Sequence, residues 1–432
     1  MSLILANATL ASFYPRMVRH GHIAVEDGRI ESISEELSRE AGHVVDCSGR
    51  VVMPGNVCAH THLYSALARG MPAPKKTPRN FPEILEYIWW KLDRALDEQG
   101  IEYSAAIGAL DAARCGTTTL VDHHASPNFI DGSLSLLAGI ISKVGLRSIL
   151  CYEVTDRGGK ERREAGLREN ERFLRENQDH PLAAGVVGAH ASFTLESETL
   201  EELAGLARRF ETGVHIHVAE DDCDEDDSLR RCGERAAVRL SRAGLLQPKS
   251  IAAHGVHLDA DEIETVQSRR TWLVHNCRSN MNNGVGRAPV LAFGERCALG
   301  TDGIDQDMFS EARTAYFRGR EDTIDLGADL FLDLLARGGL LASQFFPYAI
   351  GNLEVGSAAD LIVLDYDPPT PLTQENLAWH WMFAMTPRHV ESVMVQGNWV
   401  IYRREFRTID EERIRAEARG EAVRIWERMD TL

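Results

Sequence analysis

The chain has 432 residues, of which 44% are hydrophobic and 26% are charged, a composition typical of a globular protein with a sizeable core. Its formal net charge of −18 offers no basic footprint for DNA or RNA, so the charge argues against nucleic-acid partners. Its eight cysteines have no paired spacing, and the chain shows neither a signal-peptide pattern nor a membrane-length apolar run. These features predict a soluble cytoplasmic protein without membrane contact.

Short β-rich segments occupy both ends of the chain. They are punctuated by turn signals such as Asp27-Gly28, and they flank everything else. This arrangement predicts a small β-sandwich-like domain built from residues 1–53 and 351–408, with residues 409–432 forming a surface helix. The predicted strands are Leu3–Leu10, Gly21–Glu26, Arg29–Ile33, Val44–Cys47, Leu361–Leu364, Ser392–Val395 and Trp399–Tyr402.

The middle of the chain, residues 54–350, alternates predicted strands with helices such as Glu98–Ala113, Ser197–Phe210 and Glu234–Arg242. Eight strands over this length match an α/β fold, the (β/α)8 TIM-type barrel, whose active sites lie at the carboxyl ends of the strands. The predicted barrel strands are Asn56–Ala59, Thr117–Asp122, Arg147–Val154, Ala184–His190, Gly213–Val218, Ser250–His254, Trp272–His275 and Cys297–Thr301.

The first motif that carries chemistry follows Pro54-Gly55 and ends with His60 and His62. Residues two apart on a strand face the same side, so both imidazoles would point into the barrel mouth and could bind one metal ion. The alternative is a pair of hydrogen-bonded polar residues at a strand end, and the motif alone does not decide between the two.

The second motif ends a strand with His217 and places Glu220 three residues later. This spacing gives a metal ligand and a carboxylate that reaches metal-bound water. His215 shares the face of His217 but lies deeper, which favours packing or hydrogen bonding. The acidic run after Glu220 is typical of a solvated loop.

Two further strands end in polar residues that complete the set, His254 and Asp302. His254 is a candidate to orient or deprotonate water, and Asp302 supplies an anionic fourth ligand. Three imidazoles and one carboxylate suit zinc or ferrous iron and leave one position for water, whose pKa the ion lowers toward neutrality.

With these motifs the chain resembles the amidohydrolase superfamily, in its cytosine and guanine deaminase-like branch of metal-dependent deaminases and chlorohydrolases. The resemblance covers nearly the whole chain and includes His217-x-x-Glu220, Ala253–Leu258, Gly300–Gly303 and Ile350–Gly356. It implies one divalent metal ion per chain, zinc or iron, bound by His60, His62, His217 and Asp302. Binuclear members use a strand-end lysine, and the third and fourth predicted strands contain none, which favours a mononuclear site.

The resemblance also implies roles in catalysis. Glu220 would shuttle a proton to a ring nitrogen and to the leaving group, and His254 would orient the water. Asp302 would help to deprotonate that water. His190 matches a position that contacts substrate in related deaminases, although an interior strand histidine is the alternative.

Other details depart from the better-known relatives. Ile304–Asp307 replaces the family's Ser-Asn-Asn pattern, and Asp122–Pro127 and Asn276–Asn280 follow the second and seventh predicted strands. These details most resemble aminohydrolases of the SsnA type, and they argue against adenosine-like and chlorotriazine substrates.

Candidate substrate contacts lie near these motifs. Trp89 and Trp90 belong to an aromatic cluster that is usually core, with stacking on a flat heterocycle as the alternative. His123 follows the second predicted strand. Arg278 could meet a carbonyl or carboxylate, or it could be a surface arginine.

Three functions are consistent with this site. The leading one is hydrolytic deamination of an aminated nitrogen heterocycle of the purine, pyrimidine or pterin type. The second is hydrolysis of a cyclic amide or of another C–N or C–Cl bond by the same metal site. The third, a non-catalytic ligand-binding barrel, conflicts with the presence of all six metal-site and proton-transfer residues. A homodimer or higher homo-oligomer is expected from the family.

Overall fold

The computed structural model of the chain describes residues 3–36 and 42–432. The strands are β1 (Leu3–Phe13), β2 (Arg16–Glu26), β3 (Arg29–Ser34), β4 (His43–Asp46), β5 (Val51–Pro54), β6 (Asn56–Thr61), β7 (Thr117–His124), β8 (Arg147–Tyr152), β9 (Ala183–Gly185), β10 (Val187–Ala191), β11 (Val214–Val218), β12 (Ile251–His254), β13 (Trp272–His275), β14 (Cys297–Leu299), β15 (Leu361–Leu364), β16 (Val390–Val395), β17 (Asn398–Tyr402) and β18 (Glu405–Phe406). The helices are α1 (Phe81–Ile84), α2 (Trp90–Ala95), α3 (Glu98–Arg114), α4 (Ser133–Val144), α5 (Lys160–Glu176), α6 (Ser197–Arg209), α7 (Asp222–Cys232), α8 (Ala236–Ala243), α9 (Ala260–Ser268), α10 (Cys277–Asn283), α11 (Met308–Arg320), α12 (Asp329–Ala342), α13 (Leu377–Phe383) and α14 (Glu411–Thr431).

The two β-rich ends form one sheet of nine strands. Its order is β18-β17-β16-β15-β5-β1-β2-β3, with β4 pairing on β1, and antiparallel pairing of β15 with β5 joins the C-terminal half to the N-terminal half. Buried apolar residues from both halves, such as Leu10 and Leu361, share one core cluster. The predicted boundaries at residues 53, 350 and 408 stay predictions, and residues 1–2 and 37–41 of the first predicted segment lie outside the described residues.

The middle of the chain forms a barrel from two parallel sheets. One contains β6-β7-β8-β9 and the other β10-β11-β12-β13-β14, and isolated parallel bridges connect them at Thr61 with Asp302 and at Val154 with Ala189. With β9 and β10 counted as one strand, eight strands surround the centre, so the predicted (β/α)8 barrel is confirmed.

The fourth predicted barrel strand is divided in the structure. The amide of Val186 donates to the carbonyl of Leu150 on one side, and the amide of Val187 donates to Gly213 on the other. The chain therefore changes its pairing partner between β9 and β10, which closes the barrel at this seam.

A buried ion pair attaches the small sheet to the barrel. Nε of Arg147 on β8 lies 3.0 Å from Oδ2 of Asp360, and neither side chain is exposed to solvent. The second oxygen of Asp360 accepts the amide of Gln396 at 2.8 Å, so the charge is fully hydrogen-bonded, as a buried ion pair requires.

Several predicted helices are present in the structure, with ends that differ by one or two residues from the prediction. Capping side chains fix the starts of two of them. Asp97 accepts the amide of Gly100 before α3, and Asp410 accepts the amide of Arg413 before α14. In the described part of the chain, no helix combines the length and apolar character needed to cross a bilayer.

Candidate metal centre

Four side chains meet at the carboxyl end of the barrel. His60 and His62 end β6, His217 ends β11, and Asp302 follows β14; one ligand atom from each lies within 4.8 Å of all the others. Nε2 of His62 is 2.8 Å from Oδ1 of Asp302 and 3.2 Å from Nε2 of His217. The structure thus brings together the four predicted ligands from three strands that are distant in sequence.

Each of the three imidazoles is oriented from its far side, which aims Nε2 at the centre. The Nδ1 contacts are His60 to Nε2 of His215 at 2.8 Å, His62 to the carbonyl of His123 at 2.6 Å, and His217 to the carbonyl of His190 at 2.8 Å. The alternation of β11 explains the first contact, because His215 and His217 share a face opposite Val214 and Ile216, which pack in the main core cluster. The predicted hydrogen-bonding role of His215 agrees with this geometry.

The donor set fits one divalent cation. Nε2 of His60 is buried and forms no hydrogen bond with any described residue, so its lone pair faces the centre unused. Burial lowers the pKa of His60 to about 3, which keeps the imidazole neutral as a ligand requires. Three imidazole nitrogens and one carboxylate oxygen are the ligands that zinc and ferrous iron accept.

Electrostatics make Asp302 a permanent anion. Burial opposes its ionisation, but the charge of the neighbouring His62 and the close approach of His60 and His62 to the carboxylate, at 3.3 and 2.8 Å, outweigh that effect and hold the pKa of Asp302 well below its ordinary value. The same carboxylate outweighs burial at His62 and raises the pKa of that imidazole to about 9. Asp302 thus draws positive charge to the centre: a proton on His62 without a metal ion, and a bound cation in its place.

Backbone strain at the strand ends aims the site residues. Ala219, His254 and Asp302 have φ values of 48°, 77° and 54°, in the left-handed region that non-glycine residues rarely adopt. Each lies where a barrel strand turns outward, so the turn directs Glu220, His254 and Asp302 toward one point.

Glu220 and His254 form a second pair beside the four ligands. Nε2 of His254 faces Oε2 of Glu220 at 3.5 Å, and its Nδ1 contacts Oδ1 of Asn280 at 2.7 Å. The amide of Asn283 donates to Oε1 of Glu220 at 3.2 Å. Burial raises the pKa of Glu220 to about 7, so this carboxyl can both hold and release a proton near neutral pH.

The acidic run after Glu220 differs from the predicted solvated loop. It forms helix α7, whose Asp224 and Glu225 are buried. Asp224 accepts the amides of Ala219 and Phe193 at 2.8 and 3.0 Å, which fixes the turn that carries Glu220. The prediction of solvated side chains fails at Asp224 and Glu225, because these two carboxyl groups accept backbone amides, while Asp222 and Asp226 are exposed.

A cleft opens over the centre, and its lining includes three of the five predicted substrate contacts. These are Trp89, Trp90 and His190, and the Nδ1 atom of His190 is held by the hydroxyl of Thr194 at 2.7 Å. The other lining side chains include His62, Tyr64, Phe81, Asp93, Glu153, Phe193, His217, Glu220, Asn283 and Asp302.

The structure places the other two predicted contacts outside this lining. His123 is fully buried behind the cleft, and its Nε2 contacts the carbonyl of Ala189 at 2.9 Å. The guanidinium of Arg278 forms ion pairs with Asp305 and Glu311, each at 2.6 Å. Arg278 is thus neither a surface residue nor a cleft residue, because two carboxylates hold it between α10 and α11.

Sequence reasoning missed two charged residues of the cleft wall, Asp93 and Glu153, and it missed Arg157 in the adjoining groove. Glu153 comes directly after β8, where the rule that barrel sites lie at strand ends could have found it. Asp93 and Arg157 lie on a helix and a loop and carry no comparable signal. Ser279, which donates a short hydrogen bond to Asp302, falls within the predicted motif Asn276–Asn280.

Comparisons with known proteins place this geometry in context. The model of the amidohydrolase family matches residues 51–400. A 5'-deoxyadenosine deaminase from Methanopyrus kandleri is 31% identical over 412 residues, covering 91% of this chain and 92% of that protein. A 5-methylthioadenosine/S-adenosylhomocysteine deaminase from Pelotomaculum thermopropionicum is 31% identical over 425 residues, covering 94% of each chain.

Among solved structures, an adenosine deaminase from Xanthomonas campestris with bound zinc superposes with a TM-score of 0.87. It is 24% identical, and the match covers 98% of each chain. At this identity the likeness supports the fold.

Proposed function

This chain belongs to the amidohydrolase family, and from that premise we propose that it is a metal-dependent hydrolase that removes the amino group from an aminated purine heterocycle. One observation carries the proposal: Glu220 and His254 face each other at 3.5 Å beside the four-residue metal site, inside a cleft that also contains Trp89 and Trp90. This arrangement combines a metal site, a proton carrier and a flat apolar wall.

We propose that His60, His62, His217 and Asp302 bind one divalent ion, with zinc as the first choice and iron as the alternative. When bound there, such an ion lowers the pKa of a water molecule toward neutrality. The imidazoles, deprotonated once the ion is bound, and the anionic Asp302 suit this task because together they offset only one of its two positive charges.

In the proposed reaction, Glu220 accepts a proton from water and delivers it to a ring nitrogen of the substrate. His254, held through Nδ1 by Asn280, directs its Nε2 toward the same water. A carbon–oxygen bond forms at the aminated carbon, and the carbon–nitrogen bond breaks. The departing amino group takes the second proton and leaves as ammonia, so the aminated ring and water become the oxo ring and ammonia.

The relatives' names suggest which purines to test first. Two proteins 31% identical over more than nine-tenths of the chain are named for deamination of 5'-modified adenosines. The sequence Ile304–Asp307, which departs from the family pattern, argued against adenosine-like substrates. The names of these relatives instead favour adenosine-like substrates. We therefore propose 5'-modified adenosines as the leading substrates, with Trp89 and His190 contacting the purine.

The test is ammonia release by metal-loaded enzyme across a panel of aminated heterocycles, coupled to glutamate dehydrogenase. The panel contains 5'-deoxyadenosine, 5'-methylthioadenosine, S-adenosylhomocysteine, guanine and cytosine. We expect at least one purine to be deaminated with kcat/KM of about 10⁴ M⁻¹s⁻¹ or more, the lower range of natural enzymes. Turnover of a lactam, imide or chlorotriazine, with no ammonia from any purine, would contradict the proposal.

Two further expectations from the sequence are kept as proposals. We propose that the protein acts in the cytoplasm and that it is a homodimer or a higher homo-oligomer. Cell fractionation tests the first expectation, and light scattering after size-exclusion chromatography tests the second.

A further inference from the structure

A second pair of carboxyl groups lies in the wall of the same cleft and belongs neither to the four metal-site residues nor to the Glu220–His254 pair. Asp93 on α2 and Glu153 after β8 are only 5% and 4% exposed, and both line the cleft over the metal centre. Both also line an adjoining groove, together with Trp90 and Arg157. They therefore stand at the junction of the two spaces, where a substituent of a bound substrate would pass.

The charges of this pair are only partly balanced. Oε1 of Glu153 accepts a hydrogen bond from Nη2 of Arg157 at 2.7 Å, and the Arg157 guanidinium also covers the ring of Trp90 at 4.4 Å. Oδ1 of Asp93 is buried, and no donor in the described part of the chain reaches it. Burial and the charge of Glu153 raise the pKa of Asp93 to about 8.

We propose that Asp93 and Glu153 form a recognition site for a cationic nitrogen group of the substrate: an ammonium, an amidinium or a guanidinium. This inference rests on the proposed function, because the group belongs to the molecule that is deaminated in the same cleft. A buried carboxylate without a partner is costly, and a cation with N–H donors supplies both the missing charge and the missing hydrogen bonds.

Other substituents fit this wall less well. An anionic substituent would be repelled by the Glu153 carboxylate, while Arg157 is already committed to Glu153 and Trp90. A neutral apolar substituent would leave Oδ1 of Asp93 without a donor. The wall therefore selects for positive charge, and it makes Asp93 a specificity-determining residue.

Binding of benzamidine and benzamide to the metal-loaded enzyme tests the proposal by isothermal titration calorimetry. The two molecules share a flat ring and differ in that only benzamidine carries an amidinium. We expect the wild type to bind benzamidine at least tenfold more tightly than benzamide. Asp93→Asn should reduce this preference to less than threefold, because it removes the charge and keeps the shape.

Two control variants separate this wall from the rest of the molecule. Glu220→Gln neutralises a competing carboxyl group of the same cleft, and Asp430→Asn, which neutralises an exposed carboxyl on the C-terminal helix, should keep the tenfold preference. Loss of the preference in Glu220→Gln but not in Asp93→Asn would overturn the proposal. If Asp93→Asn fails to fold, the wild-type comparison still decides, because equal binding of the two compounds overturns the proposal.

Failure of this inference can be distinguished from failure of the proposed function. Ammonia release from the purine panel tests the function, whereas benzamidine binding requires no turnover. A preference for benzamidine without ammonia release supports the recognition site and contradicts the purine deaminase. Ammonia release from a purine, without tighter binding of benzamidine, supports the purine deaminase and contradicts the recognition site.

Discussion

His254 and Glu220 face each other across the barrel mouth, with 3.5 Å between Nε2 of the imidazole and Oε2 of the carboxyl. They come from different strand ends, and each is held on its far side by an asparagine of α10: Asn280 contacts His254, and Asn283 contacts Glu220. Helix α10 thus positions both members of the proposed proton-transfer pair, which makes them separable from the metal ligands by mutation.

Replacing Glu220 by Gln should remove most turnover and leave the metal in place. The substitution deletes a proton carrier but no metal ligand, so we expect kcat to fall by about 10²–10⁴-fold, the usual contribution of a general acid–base. Metal content by mass spectrometry and kcat by ammonia release measure the two effects. Glu198→Gln, at an exposed position, is the matched control. Metal loss in Glu220→Gln would show that its assigned role is wrong.

Replacing His217 by Ala should remove both metal and activity. It deletes one of four ligands, whose donor atoms all lie within 4.8 Å of one another. His257→Ala is the control, because its Nε2 contacts the carbonyl of Val285 at 2.7 Å and lies outside this group. Elemental analysis of both purified variants decides the ligand set. Full metal content and full activity in His217→Ala would refute it.

Replacing His215 by Leu should weaken metal binding without removing a ligand. His215 holds Nδ1 of His60 at 2.8 Å, and the loss of such supporting contacts costs about 10–100-fold in metal affinity. Competition with a chelating dye measures the affinity of the variant and of the wild type. Unchanged affinity would mean that packing alone orients His60.

The sequence was sufficient to predict the barrel, and the six residues proposed from it for the metal site and proton transfer lie close together at the barrel mouth. These residues lie at or just after strand ends, and the carboxyl ends of the strands in a parallel barrel meet on one face. Their positions along the chain were therefore enough to predict that they lie together. Asp93 could not be predicted in this way. It lies on α2, beyond a π-helical turn at Leu85–Trp89, where no strand end marks it as a site residue. The positive φ angles at His254 and Asp302 were equally inaccessible, because local residue preferences disfavour them and the surrounding fold imposes them.

The role of Arg278 could not be predicted from the sequence either, because its partners Asp305 and Glu311 lie far along the chain. A stability measurement tests whether Arg278 has a structural role. Its guanidinium lies 2.6 Å from Glu311, whose side chain has no exposure, so Arg278→Met leaves a buried carboxyl without its partner. We expect a loss of about 3–5 kcal/mol in the free energy of unfolding. Arg278→Met combined with Glu311→Leu should recover part of that loss. A stable Arg278→Met variant with a greatly raised KM would favour substrate binding instead.

The contact between α3 and the C-terminal helix should depend on pH. Asp97 receives hydrogen bonds from Arg424 on α14, with Nη1 2.8 Å from Oδ2, and these bonds hold the pKa of Asp97 below its ordinary value. A depressed carboxyl pKa stabilises the fold above the unfolded pKa of about 3.9, and this contribution shrinks as pH falls toward the folded pKa. Both side chains are 36% exposed, so solvent screening limits the effect.

Arg424→Gln should lower the free energy of unfolding by about 1 kcal/mol or less at pH 7. Urea unfolding of wild type and variant at pH 7, 5 and 3 should show the difference narrowing below about pH 5. Arg413→Gln, whose guanidinium pairs with Glu417 on the same helix, is the control. A difference that stays constant or widens at pH 3 would contradict the assignment of the stabilising charge to Asp97.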